Sequence, residues 1–230
     1  MDAPGLSQLD PRFRRTLESM YAREPQRGAD GLLHPLDRYT RVSAAEGLYL
    51  YGACVAGGVT ATLEIGLACG FSTVFLLAAL ERNGGGRHVA ADPYQTADWH
   101  GVGAVTARDL VAGATHLTPD SFECLEERSE AALVELQRRG ESFGLVFIDG
   151  YHRFDDVLVD FTLAARTVPV GGLIVLHDRR LDSVKAVASW IRHDRPDFAG
   201  VVTPCRNLVA VRRVGDDERD WRHFAAFPMR

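Results

Sequence analysis

The chain has 230 residues, of which 46% are hydrophobic and 25% charged. This composition fits one globular domain with a large core and excludes disordered and coiled-coil chains. The formal net charge of -5 opposes binding to a phosphate backbone, so we expect no nucleic-acid partner. No apolar run approaches the roughly 20 residues of a membrane-spanning helix, and the polar N-terminus does not resemble a signal peptide. We therefore expect a cytoplasmic protein without a membrane contact.

The first 57 residues are predicted to form a helical extension in front of the core. An aspartate followed by a proline predicts a helix over residues 11–22, because this pair is typical of a helix start. A loop follows, and the capping-box pattern from Ser43 to Glu46 predicts a second helix. We expect this extension to be a lid over the binding pocket or a contact between subunits, and residues 58–230 to form the core.

From residue 60 onward, short apolar runs alternate with segments of helical spacing. Phe154, Val157, Leu158 and Phe161 stand at i, i+3, i+4 and i+7, the spacing of one helix face. The alternation predicts an α/β protein with five or six parallel strands and helices on both faces of the sheet. The last two runs are too close for a crossover helix, so they predict one reversed strand. Strands are predicted at residues 60–66, 87–92, 115–119, 144–149, 171–178, 199–204 and 207–214.

A glycine-containing loop joins the first core strand to its helix. Its sequence, LEIGLACGFS over residues 63–72, places Gly66 for a tight turn and Gly70 for a close backbone approach to a ligand. Ala68 stands where a dinucleotide site has its middle glycine, and the acidic Glu64 precedes the loop. An anionic pyrophosphate disfavours this neighbourhood, whereas a cationic sulfonium amino acid tolerates it.

Polar residues also follow the next two predicted strands. Asp92 ends the second core strand, where a carboxylate can accept hydrogen bonds from both hydroxyls of an adenosine ribose. Asp120 and Ser121 follow the third predicted strand and are candidates for binding the adenine edge. Helix capping is the alternative explanation, above all for Asp120 and Ser121, because Asp and Ser are common at strand-to-helix junctions.

Four titratable groups are predicted at the ends of the fourth and fifth strands: Asp149, His152, His177 and Asp178. Active sites of such sheets lie at the carboxyl ends of the strands. Two carboxylates can hold a divalent cation, which lowers the pKa of an acceptor hydroxyl and orients it. A histidine, with a reference pKa of about 6.5, is suited to take the proton. The structural alternatives are a histidine bonded to backbone and an Asp149 that caps the following helix.

These motifs together resemble a known family. The run LEIGLACGFSTVFL, the strand-end Asp92, and FIDGYHRFDDVLVDF followed by GGLIVLHD look like a class I S-adenosylmethionine-dependent methyltransferase. They are most similar to the catechol O-methyltransferase-like and macrocin-type groups. The resemblance covers residues 43–178 and implies a Rossmann-like, doubly wound, mostly parallel sheet of seven strands with one antiparallel strand. The S-adenosylmethionine site that it implies consists of Glu64, Gly66, Gly70, Ser72, Asp92, Asp120 and Ser121.

The same resemblance assigns roles at the fourth and fifth strands. It implies that Asp149 and Asp178 ligate magnesium and that His152 is the general base. One departure is that His177 precedes the last ligand and Arg179 follows it, where the family has Asp, Glu or Asn. Arg179 cannot ligate a metal, whereas His177 can, and a nitrogen ligand favours manganese, iron or zinc over magnesium. Related enzymes are usually oligomers, so the resemblance also implies a dimer.

The predicted function is transfer of a methyl group from S-adenosylmethionine to a hydroxyl of a small-molecule acceptor, assisted by a divalent cation. One alternative is a metal-independent N-methyltransferase, in which Asp149 and His152 only orient an amine. The other is an NAD-dependent oxidoreductase or a non-catalytic nucleotide-binding module, and the missing middle glycine argues against the oxidoreductase. The identity of the acceptor stays open, because variable loops build its pocket.

Overall fold

The structure is a computed structural model that describes residues 5–37 and 39–228. Its α-helices are α1 (Pro11–Tyr21), α2 (Ala44–Ala56), α3 (Phe71–Arg82), α4 (Val102–Ala112), α5 (Ser129–Arg138), α6 (Phe154–Ala164) and α7 (Asp182–Asp194). Its strands are β1 (Gln26–Arg27), β2 (Leu33–His34), β3 (Ala61–Ile65), β4 (Arg87–Ala91), β5 (Phe122–Leu125), β6 (Leu145–Ile148), β7 (Leu173–Leu176), β8 (Phe198–Val201) and β9 (Val209–Arg213). The predicted capping box is present at the start of α2, between Ser43 and Glu46.

Seven strands form the central sheet, in the order β5-β4-β3-β6-β7-β9-β8. The pairs from β5 to β7 are parallel, and β9 runs antiparallel to both β7 and β8. This confirms the predicted mostly parallel sheet with one reversed strand. The register pairs Ile65 of β3 with Ala91 of β4 and with Ile148 of β6. The residues that follow these three positions therefore meet at one edge of the sheet.

One predicted strand is wrong. Residues 115–118 form a loop that leads into a short 3-10 helix, Pro119–Ser121, and the third core strand is β5, which begins only at Phe122. β5 lies at the edge of the sheet and is mostly only half-buried, so its sequence carries a weak apolar pattern. The extended conformation of β5 depends on its pairing with β4, and the local sequence pattern does not predict this pairing.

Two hydrophobic layers cover the two faces of the sheet. In β6, Leu145 and Phe147 face the layer that contains α1 to α4, whereas Val146 and Ile148 face the layer that contains α5 to α7. This alternation follows from the two-residue period of a strand. The sheet edge that carries the loops after β3, β4, β6 and β7 stays open between the layers.

The N-terminal helices pack on the same core as α3. Phe13 and Leu17 of α1 and Leu50 and Cys54 of α2 are buried in the layer that also contains Phe75 of α3. The segment before the first core strand is thus anchored by apolar burial. In the part of the chain that the structure describes, the helices are too short or too polar to cross a membrane.

Candidate active site

The loops after β3, β4, β6 and β7 open onto one cavity of about 1170 Å³. Gly66, Asp92, Asp149 and Asp178 line it together, as their positions at the carboxyl ends of the strands predict. The N-terminal segment supplies a further wall, with Glu46 among its residues. The volume is large enough for a small-molecule binding site.

The glycine loop makes its tight turn at Gly66. The residue has a φ of +89°, and a Cβ atom at this position would lie 2.3 Å from the carbonyl oxygen of Asp149. Glycine is required here both for the left-handed backbone and for the close approach of the two loops. The turn therefore connects the predicted cofactor loop directly to the strand end that carries Asp149.

Gly70 has a different role from the one predicted. It does not line the cavity but packs on α4, where a Cβ atom would lie 3.1 Å from the Cα atom of Gly103. The small residue therefore allows two helices to approach, rather than a ligand to approach the backbone. The sequence pattern showed that a glycine was needed, but not for which contact.

Asp92 stabilises the glycine loop. Its Oδ2 atom accepts hydrogen bonds from the backbone amides of Leu67 at 3.1 Å and Ala68 at 2.7 Å, and its Oδ1 atom accepts one from the Tyr94 amide at 2.9 Å. Burial raises the pKa of Asp92, and these three amides act in the opposite direction. Asp92 lines the cavity, and a carboxylate has lone pairs beyond these three bonds for a ligand hydroxyl.

Glu64 does not face the cavity. It is fully buried, and its carboxylate accepts hydrogen bonds from the hydroxyls of Ser72 and Thr73 and lies 3.3 Å from His88 Nε2. The prediction that Glu64 contacts a cationic ligand directly is therefore corrected. Glu64 instead binds the hydroxyls of two residues in the first turn of α3. Ser72 does line the cavity, with its hydroxyl directed to Glu64.

Asp120 and Ser121 lie away from the cavity, which corrects their predicted placement. They precede β5 instead of following a strand, so they stand at the opposite edge of the sheet. Ser121 Oγ accepts a hydrogen bond from the Thr118 amide at 3.0 Å, the capping alternative considered for it. After β5, the residues on the cavity wall are Arg128, Ser129 and Glu130.

Two tyrosines that were not among the predicted cofactor or metal residues stand on the cavity wall. Tyr94 and Tyr151 contact each other edge to face, with ring centroids 6.1 Å apart. Each follows a strand-end aspartate by two positions, Asp92 in one case and Asp149 in the other. The repeated Asp-x-Tyr spacing was the signal in the sequence that could have identified them, and such rings can stack on a planar base.

Asp149, His152 and Asp178 form a compact group of possible metal ligands. One ligand atom from each lies within 4.8 Å of the others. His152 Nε2 is 3.1 Å from Asp178 Oδ2 and 3.7 Å from Asp149 Oδ1. Burial raises the pKa of Asp149, with hydrogen bonding to His177 opposing it. The structure thus brings together the four groups predicted at the fourth and fifth strands: three form this group, and the fourth, His177, contacts Asp149.

His177 stands behind this group and is a poor metal ligand, contrary to the prediction. Its Nδ1 atom is 2.8 Å from Asp149 Oδ1, and its Nε2 atom is 3.6 Å from Glu46 Oε2. Burial lowers the pKa of His177, but hydrogen bonds to the two carboxylates outweigh burial and raise it to about 10. Both ring nitrogens are thus engaged by side chains of the protein: Nδ1 by Asp149, and Nε2 by Glu46 and by Asn207, whose Nδ2 atom is 3.3 Å away.

Glu46 serves two structural purposes that the sequence analysis saw only in part. Its Oε2 atom accepts hydrogen bonds from the backbone amide and the hydroxyl of Ser43, both at 2.7 Å. The same atom faces His177. Burial raises the pKa of Glu46, but the hydrogen bonds from His177 and Ser43 lower it to about 2. The capping box at the start of α2 is therefore connected to the candidate active site through the contact of Glu46 with His177.

One carboxylate oxygen of Asp178 is bound by two neighbouring side chains. Asn207 Nδ2 donates to Asp178 Oδ1 at 3.0 Å, and Arg180 Nε lies 3.1 Å from the same oxygen. These contacts leave Asp178 Oδ2 directed toward His152. The sequence analysis did not select Asn207, because its connection to Asp178 depends on the pairing of β7 with β9.

A family model described as a methyltransferase domain matches residues 63–179, just over half of the chain. The chain belongs to this methyltransferase family. The match includes the glycine loop, Asp92 and the group formed by Asp149, His152 and Asp178. It confirms the predicted enzyme class.

Solved structures share the fold of this methyltransferase. Cofactor-bound Rv0187 from MTB is 23% identical, with a TM-score of 0.64 over 90% of this chain and 91% of that chain. An O-methyltransferase from Bacillus cereus in complex with SAH is 19% identical, with a TM-score of 0.64 over 89% and 91%. The O-methyltransferase TomG from Streptomyces achromogenes in complex with SAM is 19% identical, with a TM-score of 0.60 over 90% and 91%. These similarities confirm the predicted Rossmann-like methyltransferase fold.

Proposed function

We propose that this methyltransferase transfers the methyl group of S-adenosylmethionine to a hydroxyl of a small-molecule acceptor. The observation that carries the proposal is one cavity lined both by the glycine loop with Asp92 and by the group of Asp149, His152 and Asp178. The solved relatives in complex with SAM and SAH support the choice of donor. Asp92 is the proposed acceptor of the ribose hydroxyls. Gly66 and Ser72 line the same cavity and are proposed to contact the donor, and Tyr94 and Tyr151 are proposed to flank its base.

The ligand atoms of Asp149, His152 and Asp178 fit a divalent cation. Ligand atoms around one ion at about 2.1 Å lie about 3–4 Å from each other, and the distances of 3.1 Å and 3.7 Å from His152 Nε2 fall within this range. A bound cation lowers the pKa of an acceptor hydroxyl and orients it. Asp149 and Asp178 are the proposed ligands of this cation, and a pair of carboxylates suits magnesium or manganese.

The chain's own residues orient the acceptor and move its proton. His152 is left free of the cation, so its Nε2 atom, which faces both carboxylates, can take the proton of the acceptor hydroxyl as the proposed general base. His177 holds Asp149 from behind through the 2.8 Å contact, and Asn207 holds Asp178. Methyl transfer then needs the hydroxyl oxygen in line with the donor's methyl carbon and sulfur, which the fixed carboxylates favour.

Calorimetry with S-adenosylhomocysteine tests the donor, and transfer of a labelled methyl group to panels of hydroxyl and amine acceptors tests the acceptor atom. We expect binding of S-adenosylhomocysteine, labelled ether products, and loss of turnover in excess chelator. Absence of S-adenosylhomocysteine binding would remove the donor from the proposal. Turnover on amines that resists chelator would replace the metal-assisted O-methyltransferase by a metal-independent N-methyltransferase.

The N-terminal extension of residues 1–57 is proposed to close the acceptor side of the cavity, supported by the position of Glu46 on its wall. The surrounding segment contributes Tyr21 and Arg41 to the same wall. A dimer is proposed as the assembly, on the resemblance to oligomeric methyltransferases. Light scattering of the purified chain tests it, and a monomeric mass at working concentration would contradict it.

A further inference from the structure

Arg41 lines the same cavity as the group of Asp149, His152 and Asp178. Arg41 lies two positions before Ser43 in the chain, and the amide and hydroxyl of Ser43 bind Glu46. Glu46 in turn faces His177, which contacts Asp149. This chain of contacts places the Arg41 segment at the end of the cavity where the acceptor hydroxyl is proposed to bind.

The other cationic side chains of this cavity are paired with carboxylates. His177 lies between Asp149 and Glu46, Arg180 contacts Asp178, and Arg128 Nε is 2.5 Å from Glu130 Oε1. Within residues 5–37 and 39–228, the guanidinium of Arg41 has neither an ion pair nor a hydrogen bond, and its contact is with the ring of Tyr21. Arg41 thus brings an uncompensated positive charge to a wall on which acidic residues predominate.

Tyr21 holds this guanidinium in place without using its donors. The Arg41 Cζ atom lies 5.8 Å from the centroid of the Tyr21 ring, a cation–π distance. The Tyr21 hydroxyl donates to the Val42 carbonyl at 3.0 Å, and its ring packs on Phe71 with centroids 5.1 Å apart. Because the ring is anchored at both ends, Arg41 is positioned while its N–H groups stay available to a ligand.

Thr40 provides a second unused polar group next to Arg41. Its Oγ1 atom is buried and has no hydrogen-bond partner among the described residues, and Thr40 also lines the cavity. A buried hydroxyl without a partner is uncommon and calls for an explanation such as a missing ligand. The guanidinium of Arg41 and the hydroxyl of Thr40 both line this cavity, and both can donate hydrogen bonds to the oxygens of a carboxylate or a phosphate.

The carboxylate of the donor has a place to bind that does not require Arg41, at the first turn of α3, where Phe71 and Ser72 line the cavity. α3 begins at Gly70 without a side-chain cap, so the first amides of this helix are available to an anion. The cavity therefore offers two places for negative groups, whereas S-adenosylmethionine has one carboxylate. The second place, at Arg41, is left for the acceptor.

We propose that Arg41, with Thr40, binds an anionic group of the acceptor, so that the methyl acceptor is a hydroxylated carboxylic acid or phosphate ester. This inference rests on the proposed function and names its substrate class. Arg41 is the residue that selects the acceptor by charge, while the group of Asp149, His152 and Asp178 acts on its hydroxyl.

The test is isothermal calorimetry with saturating S-adenosylhomocysteine and three matched pairs of probes. They are protocatechuate and its methyl ester, glucuronate and its methyl ester, and α-glycerophosphate and glycerol. In at least one pair, the anion is expected to bind about tenfold or more tightly than its neutral partner, as for a charge-assisted hydrogen bond. Arg41→Met is expected to remove this preference, and Arg41→Lys to keep part of it, because lysine keeps the charge but not the planar fork.

Arg15→Met is the matched control, because Arg15 is exposed on α1, away from the cavity. It should leave the preference intact, and all three variants should bind S-adenosylhomocysteine like the parent chain. The proposal is overturned if no pair shows a preference for the anion, or if Arg41→Met retains the preference. A loss of S-adenosylhomocysteine affinity in Arg41→Met with the preference retained assigns Arg41 to the donor's carboxylate instead. Failure of the parent chain to bind S-adenosylhomocysteine refutes the proposed function, before any acceptor probe is added.

Discussion

Replacing Gly66 by alanine tests how closely the glycine loop approaches the neighbouring strand end. A Cβ atom on Gly66 would lie 2.3 Å from the carbonyl oxygen of Asp149, at a φ of +89°. The left-handed backbone costs an L-residue about 1–2 kcal/mol, and overpacking costs a further ~1–3 kcal/mol. We therefore expect Gly66→Ala to lower the free energy of unfolding by about 2–5 kcal/mol in total.

Gly84 provides the matched control for the backbone term. Its φ is also +89°, but a Cβ atom there would meet nothing within 4 Å. Gly84→Ala should therefore lower the free energy of unfolding by only about 1–2 kcal/mol, the cost of the left-handed backbone. For a chain of this size, 1 kcal/mol corresponds to roughly 2–4 °C in Tm, so the two variants should differ by about 2–12 °C.

Thermal unfolding followed by circular dichroism, with both variants in one buffer, measures this difference. Equal decreases in Tm for the two variants would refute the close approach of Gly66 to Asp149. The displaced carbonyl of Asp149 should also disturb the group of Asp149, His152 and Asp178. Gly66→Ala is therefore expected to weaken binding of both S-adenosylhomocysteine and a divalent cation, whereas Gly84→Ala is expected to weaken neither.

Three other predictions concern the side chains of the cavity. Asp92→Asn should weaken S-adenosylhomocysteine binding about 10–100-fold in calorimetry, as expected for lost charge-assisted hydrogen bonds, and unchanged affinity would remove Asp92 from the donor site. Asp149→Asn should abolish binding of Mn²⁺ in electron paramagnetic resonance titrations while S-adenosylhomocysteine still binds; retained Mn²⁺ affinity would contradict the ligand assignment. The third prediction concerns chelator-treated protein. A histidine in the unfolded chain has a pKa of about 6.5, whereas the pKa of His177 in the folded protein is raised to about 10. The free energy of unfolding should therefore fall as the pH rises between these two values, because the unfolded chain releases a proton that the folded protein keeps. His177→Gln should flatten this slope, and a slope unchanged by the substitution would assign the proton elsewhere.

Glu46→Gln isolates the contact of Glu46 with His177, because glutamine also completes a capping box. We expect a loss of about 1–3 kcal/mol in the free energy of unfolding for the lost buried charge contact. Ser43→Ala is the control, since it removes the hydroxyl bond to Glu46 but leaves the carboxylate in front of His177. A change in Mn²⁺ affinity in the first variant but not in the second would connect the N-terminal helix to the metal ligands. Equal effects on Mn²⁺ affinity would show that the connection is only structural.

The mostly parallel sheet and the position of the cavity at the carboxyl ends of its strands followed from local spacing in the sequence. Apolar residues at a period of two or 3.6 report which side of a strand or helix is buried, so most elements were predicted close to their observed limits. The edge strand β5 was missed, because its half-buried residues carry little of this signal. That single error moved Asp120 and Ser121 to the wrong edge of the sheet.

The sequence by itself determined the class of fold, the tight turn at Gly66 and the strand-end acids Asp92 and Asp149. These features depend on residues close together in the chain, where spacing and backbone sterics act directly. Only the tertiary structure decided that Glu64 faces inward, that Gly70 packs on a helix, and that His177 lies between two carboxylates. Each of these outcomes depends on a partner from a distant segment, because the protonation and direction of a side chain are set by its three-dimensional neighbours.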